Sequence, residues 1–365
     1  MIPVYQPSLT GNEKKYVNEC LDTTWISSKG KFVNMFEDAF AKYVGVKHGA
    51  LCSNGTVALH LALLALGIGP GDEVIVPTFT YIASVNAIRY VGATPVFVDS
   101  LMDTWQMDPK QFEKKITSKT RAVIVVHLYG HPCDMDSIMK IAREHDIFVI
   151  EDTAEAIGSR YHDAVVGSIG DIACFSFFGN KTITTGEGGM VMTNDSTLYD
   201  RVCRIRNQGN ALDREYWNDI LGYNFRGTNI MAAIGLAQLE QIDSFIARKI
   251  EIGEMYKKSF ASLPIKTHEP VGDVYHTKWM CSILVSEPEE RNALRAFLKE
   301  KDIETRPTFH PAHTMPMYSE KFDRYPVAEY IGWRGINLPS WPGLTDEQVQ
   351  YICDCVHEFY QKETN

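Results

Sequence analysis

The chain has 365 residues, 45% of them hydrophobic, an ordinary globular composition with enough apolar material for one large or two moderate cores. Its formal net charge of −10 excludes nucleic acid and anionic membrane surfaces as partners, because binding phosphate polymers requires a basic face. Any anionic substrate must be met by a local cluster of cations. The eight cysteines form no Cys-x-x-Cys pair and several lie in apolar runs, so a reduced, cytoplasmic protein is expected. Met1 to Pro7 shows no basic stretch leading into an apolar one, and no secretory signal is expected. The longest greasy run, 59–68, contains His60 and is too short to span a bilayer.

In chain order, the first strand is predicted at 49–52 and is followed by Ser53-Asn54-Gly55-Thr56, which opens a helix over 56–66. Free N–H groups at such a helix start can hold a phosphate, although Ser or Asn there also serves as a plain cap. Gly67-Ile68-Gly69-Pro70-Gly71 imitates part of a dinucleotide fingerprint but follows a helix and precedes a strand, the wrong order, and reads as a turn. A second strand at 73–76 leads into Thr78-Phe79-Thr80-Tyr81, where the Tyr81 ring could stack on a flat ligand or simply pack.

Further strands are predicted at 95–99, 122–127, 147–150, 172–177 and 189–193, with helices at 83–90, 109–116, 135–145 and 197–206 between them. Most of these strands are apolar throughout, as strands buried on both faces are, and the alternation predicts an α/β domain with a largely parallel sheet. Ligands of such sheets gather at the carboxyl ends of the strands. Glu151-Asp152 ends one apolar run, and buried carboxylates require a partner such as a pyridinium nitrogen or an arginine. Ser176 ends another run, and Lys181 follows it in a stretch rich in small residues and flanked by Gly186, Gly188 and Gly189. A lysine among apolar and small residues gives up its proton more readily, and the neutral amine condenses with aldehydes.

From residue 228 a single long helical pattern runs to 263, where Pro264 stops it. A strand at 279–285, a helix at 289–301 and a closing amphipathic helix at 347–360 make a smaller α+β unit, giving expected domains 1–245 and 246–365. The proline-rich stretch 306–318 reads as an ordered loop. His127 with His131, or His310 with His313, lack a carboxylate or cysteine set to complete a metal site, so no metal is expected.

These segments carry a resemblance over nearly the whole chain. Ser53-Asn54-Gly55-Thr56, Gly71 to Pro77, Glu151-Asp152-Thr153-Ala154-Glu155, Ser176 to Gly189 and Gly222-Tyr223-Asn224-Phe225-Arg226 resemble the DegT/StrS type of sugar nucleotide aminotransferase. That resemblance implies an aspartate aminotransferase-like fold (fold type I), with a mostly parallel seven-stranded sheet, and pyridoxal 5'-phosphate as cofactor, passing through pyridoxamine 5'-phosphate. It implies that Lys181 binds the cofactor covalently, Asp152 pairs with the ring nitrogen, and Ser53, Gly55, Thr56 and Ser176 lie around the phosphate. Tyr81 would stack on the ring, Glu155 would lie near the ring hydroxyl, and Asn224 would reach the phosphate of a neighbouring subunit in a homodimer with shared sites.

The implied substrates are GDP-4-keto-6-deoxymannose and L-glutamate. Other 4-keto sugar nucleotides with a uracil or thymine base stay open, as does a non-catalytic sugar-nucleotide-binding module. Lys29, Lys31, Arg226 and Arg306 are candidate cations for the diphosphate, and Trp25, Glu187, His313 and Tyr318 are further candidate substrate contacts. A related dehydratase branch carries histidine where Lys181 stands, so the lysine favours transamination.

Overall fold

The computed structural model describes residues 1–319 and 323–363. Nine strands fall in the first two thirds of the chain: β1 His48–Cys52, β2 Glu73–Pro77, β3 Thr94–Val98, β4 Thr120–Val126, β5 Phe148–Asp152, β6 Arg160–Tyr161, β7 Ala164–Val165, β8 Ile172–Ser176 and β9 Gly189–Thr193. Seven of them form one sheet in the order β1-β9-β8-β5-β4-β2-β3, and every pairing is parallel except those that β9 makes with β8 and β1. Runs such as Ile172-Ala-Cys-Phe-Ser176 and Gly189-Met-Val-Met-Thr193 are buried at every position, which explains their lack of polar alternation.

The helices are α1 Glu13–Asp22, α2 Lys31–Val44, α3 Gly55–Ala65, α4 Ala83–Tyr90, α5 Pro109–Lys114, α6 Met135–Glu144, α7 Ser196–Arg206, α8 Asn229–Leu239, α9 Ile242–Phe260, α10 Pro288–Glu300, α11 Pro326–Arg334 and α12 Asp346–Glu363. On one side of the sheet Phe36 and Phe40 of α2 meet Phe175 and Phe177, with the Phe40 and Phe175 rings edge-on at 4.9 Å. On the other side α3 and α4 cover it with Leu59, Leu61, Leu63, Val85 and Ile88.

The single helix expected over 228–263 is two helices, α8 and α9, bent by 61°. At Gln241 the backbone leaves the helical region (φ −113°, ψ 1°). Gln238 donates to the Ser8 carbonyl at 2.7 Å and to Glu13 at 2.6 Å, and the Gln241 side chain accepts the Thr10 hydroxyl at 2.8 Å, so the N-terminal segment holds the bend. Neither glycine nor proline marks the place, and apolar periodicity continues across it. Helices α1 and α2 also escaped the sequence reading.

Beyond α9 the strands β10 Lys266–Thr267, β11 Val274–Tyr275, β12 Cys281–Leu284, β13 Arg306–Pro307 and β14 Gly335–Leu338 follow. Four make a second, antiparallel sheet in the order β10-β12-β14-β13, and β11 instead joins β6 and β7. A separate core runs through Ile252, Tyr256, Ile283, Leu294, Leu298, Ile336 and Ile352. Trp279, Ala312 and Ile331, however, pack into the core of the large sheet, so the C-terminal third closes over the strand ends.

Candidate active site

The carboxyl ends of β1, β2, β5 and β8 open onto one cavity of about 680 Å³, walled by Asn54, Gly55, Thr56, Thr80, Tyr81, Ser84, Asp152, Glu155, Ser176, Lys181 and Glu187. Its far side comes from the C-terminal third, through Trp279, Arg306 and Phe309. Asn54 is the N-cap of α3 and its side chain accepts the Val57 N–H at 2.9 Å, which leaves the N–H groups of Gly55 and Thr56 at the helix start. A Cβ on Gly55 would stand 2.7 Å from the Ser176 Cβ, so the backbone approaches Ser176 as only glycine allows.

Lys181 lies on the loop between β8 and β9. Phe177 N–H bonds Gly188 C=O at 2.8 Å and Thr185 N–H bonds Phe177 C=O at 2.9 Å, so the loop is pinned at its neck. The Lys181 side chain is 11% exposed, with Nζ 3.7 Å from Glu155 Oε1 and 3.8 Å from the centre of the Trp279 ring. Burial lowers the amine from its ordinary lysine value, while Glu155 and Asp152 pull the other way.

The three acids of 151–155 have different settings. Glu151, fully buried, accepts His127 Nε2–H at 3.0 Å and the N–H groups of Gly167, Ile169 and Gly170 at 2.7, 2.8 and 2.6 Å. Burial alone would raise its carboxyl, but these donors hold it below the usual value. Asp152 accepts the Ser84 hydroxyl at 2.7 Å and the Ala154 N–H at 3.1 Å. Its carboxyl is nevertheless raised, because burial outweighs the two bonds and the pull of Lys181, and a cation arriving in the cavity would lower it again.

Glu155 accepts the Tyr129 N–H at 3.0 Å and is pushed up to about 7, with burial the largest cause and Lys181 opposing it. Tyr129 itself has φ 55°, a left-handed conformation held by stacking on Phe309 at 5.3 Å and by the Phe309 N–H bond to its hydroxyl at 3.0 Å.

Of the residues singled out from sequence, Gly55, Thr56, Tyr81, Asp152, Glu155, Ser176, Lys181, Glu187 and Arg306 share the cavity. Ser53 lies beside it, its N–H bonded to the Phe225 carbonyl at 3.0 Å. Asn224 is exposed and outside the wall, and Arg226 turns to Asn207. Trp25 and Lys31 line a separate surface hollow, and Lys29 another, formed with residues 208–222. His313 is buried on Thr78 (2.7 Å) and Glu329 (3.4 Å), and Tyr318 bonds Asn86 at 2.6 Å, so neither reaches the cavity.

Sequence reasoning missed Ser84, Asn180, Trp279 and Phe309. Ser84 carried a usable signal, a small hydroxyl in the first turn of α4 beside the Thr78–Tyr81 turn. Trp279 and Phe309 carried none, since only the folded chain brings them to Lys181.

A buried lysine close to a buried carboxylate, beside a helix start cleared by glycine at the carboxyl edge of a mainly parallel sheet, suits an enzyme that holds a phosphorylated pyridine aldehyde on the lysine. The fit is supported by the Gly55 and Thr56 N–H groups at the start of α3 and by Asn180 Oδ1 and Thr182 Oγ1, which are buried beside Lys181 without a hydrogen-bond partner among the described residues. Residues 7–357 match the family described as DegT/DnrJ/EryC1/StrS aminotransferases, and the chain belongs to that family.

The chain is 64% identical to GDP-perosamine synthase of Escherichia coli O157:H7, over 98% of both chains, and 49% identical to GDP-perosamine synthase of Vibrio cholerae, over 99% of both. Among solved structures, Spr1654 of Streptococcus pneumoniae superposes in its PMP form with a TM-score of 0.95 at 31% identity, covering 99% of this chain and 100% of that one. Its PLP form gives a TM-score of 0.93, covering 98% of each chain. The protein is thus a fold type I sugar nucleotide aminotransferase with pyridoxal phosphate as cofactor.

Proposed function

We propose that the protein transfers the amino group of L-glutamate to C4 of GDP-4-keto-6-deoxymannose, giving GDP-perosamine and 2-oxoglutarate. The observation that carries this reading is the meeting of Lys181, Asp152 and Glu155 in the cavity under the start of α3, in a chain so similar to two GDP-perosamine synthases. In this reading Gly55, Thr56 and Ser176 hold the cofactor phosphate, Tyr81 lies against the ring and Glu155 lies near the ring hydroxyl. Asp152 keeps the ring nitrogen protonated, and the bound cofactor then supplies an electron sink for the carbon that loses its proton. Lys181 Nζ takes the proton from the α-carbon of the amino donor and, in the reverse sense, gives one to C4 of the sugar.

Arg306, at the cavity wall with its side chain 47% exposed, is placed to meet an anionic group of either substrate. Asn224, exposed beside Phe225, is assigned to the neighbouring subunit's cofactor in a homodimer. The division at 245 and 246 into a large and a small domain belongs to the same reading, and the separate C-terminal core supports it.

The test is incubation of the purified protein with glutamate and, separately, GDP-, UDP- and dTDP-4-keto-6-deoxy sugars, read by mass spectrometry, with Lys181→Ala as control. Amination of the GDP sugar alone, absent from the control, is expected. Conversion of a UDP or dTDP sugar instead would replace the substrate, and turnover by Lys181→Ala would overturn the role of the lysine.

A further inference from the structure

Trp279 meets Lys181 twice. Its indole face lies under the ammonium, 3.8 Å from Nζ to the ring centre, and its Nε1–H donates to the carbonyl of Asn180, the residue before the lysine, at 2.7 Å. The indole is itself fixed. It is 3% exposed, its ring stacks on Tyr129 at 6.1 Å with 13° between the planes, and its backbone N–H bonds the Tyr129 carbonyl at 3.1 Å. The preceding residue, Lys278, has φ 49°, a left-handed conformation that a long side chain seldom adopts, secured by Nζ contacts to the His268 carbonyl at 3.2 Å and to Glu269 at 3.3 Å. Strain of this kind survives where the surrounding structure dictates it, and here its outcome is an indole turned into the cavity.

We propose that Trp279 is a positioning residue for Lys181: its ring face receives the ammonium, and its N–H fixes the backbone from which the lysine extends, so the amine stays directed into the cavity whenever it is not covalently engaged. The proposal rests on the reading of Lys181 as the reactive amine. Glu155 alone is a loose anchor, since 3.7 Å is beyond good hydrogen-bonding distance. The aromatic face also favours the charged form of the amine against burial, which otherwise disfavours it. A tryptophan that merely filled space would leave the titration of Lys181 where it was.

The experiment is competitive labelling of Lys181 with acetic anhydride across a pH series, quantified by peptide mass spectrometry on the enzyme in its pyridoxamine phosphate form. Only the neutral amine reacts, so the midpoint of labelling reports how firmly the ammonium is held. Trp279→Leu is expected to move that midpoint down by about one pH unit, and Trp279→Phe, a weaker ring face lacking the N–H, by roughly half as much. If Trp279→Leu does not fold, the phenylalanine variant decides. A midpoint equal to wild type in the variant that folds overturns the proposal. Borohydride reduction of wild-type enzyme separates the two layers of argument: cofactor mass on Lys181 upholds the lysine as the reactive amine whatever the tryptophan variants do, and its absence sinks both.

Discussion

Ser84→Ala should move the acid limb of activity upward by about one to two pH units. The Ser84 hydroxyl donates to Asp152 Oδ2 at 2.7 Å, with Ser84 1% and Asp152 5% exposed, so solvent neither screens nor replaces the bond. A hydrogen bond to a charged group contributes about 1.5–3 kcal/mol, and each 1.36 kcal/mol corresponds to roughly one pKa unit. The bond favours the carboxylate over the acid. Its loss therefore raises the Asp152 pKa, already lifted by burial, and the anion to which we assign the protonated ring nitrogen disappears at a higher pH.

The Ala154 N–H remains as a donor, which keeps the effect partial. The assay is kcat/KM for sugar amination across pH, with the visible cofactor band followed in parallel. Ser84→Thr, which restores a hydroxyl, should return the limb toward wild type. Coincident acid limbs for wild type and Ser84→Ala would refute the reasoning that this serine sets the charge of Asp152.

Glu155, pushed up to about 7, binds a proton more tightly folded than unfolded, so stability should fall as pH rises from about 4.5 to 7. Urea unfolding of cofactor-stripped protein at several pH values should show wild type losing of the order of 3 kcal/mol across that window relative to Glu155→Gln; parallel pH profiles would argue against a protonated Glu155. Glu151→Ala strands three backbone N–H groups and His127, at about 1–3 kcal/mol for each, so a loss of several kcal/mol and early proteolysis at 167–170 are expected in thermal melts and limited digestion. Glu151→Gln keeps an acceptor and should lose less, and a wild-type melting temperature for the alanine variant would contradict the account.

The apolar runs of β2, β4, β5 and β8 announced a buried parallel sheet, and the residues at their ends announced the cavity, because both signals are local. Composition and spacing leave Glu151 and Asp152 as one acidic pair, and only the family resemblance singles out Asp152. Alternation along β5 points Asp152 at the cavity and Glu151 at the loop 167–170, a distinction that depends on the register of the strand. The bend between α8 and α9 was invisible because glutamine side chains bonded to a remote segment cause it. His313 is one of the candidate substrate contacts, but its ring bonds Thr78 at 2.7 Å and does not line the cavity, a placement that depends on how the C-terminal third packs on the sheet.

Trp279, Arg306 and Phe309 close a cavity whose floor is complete by residue 187. A chain ending near residue 245 would therefore carry Asp152, Ser176 and Lys181 but none of the three side chains that close the cavity, and it would also lack the Trp279, Ala312 and Ile331 that complete the core of the large sheet. The last third of the chain thus both roofs the site and finishes the core beneath it, so the site forms only when the whole chain has folded.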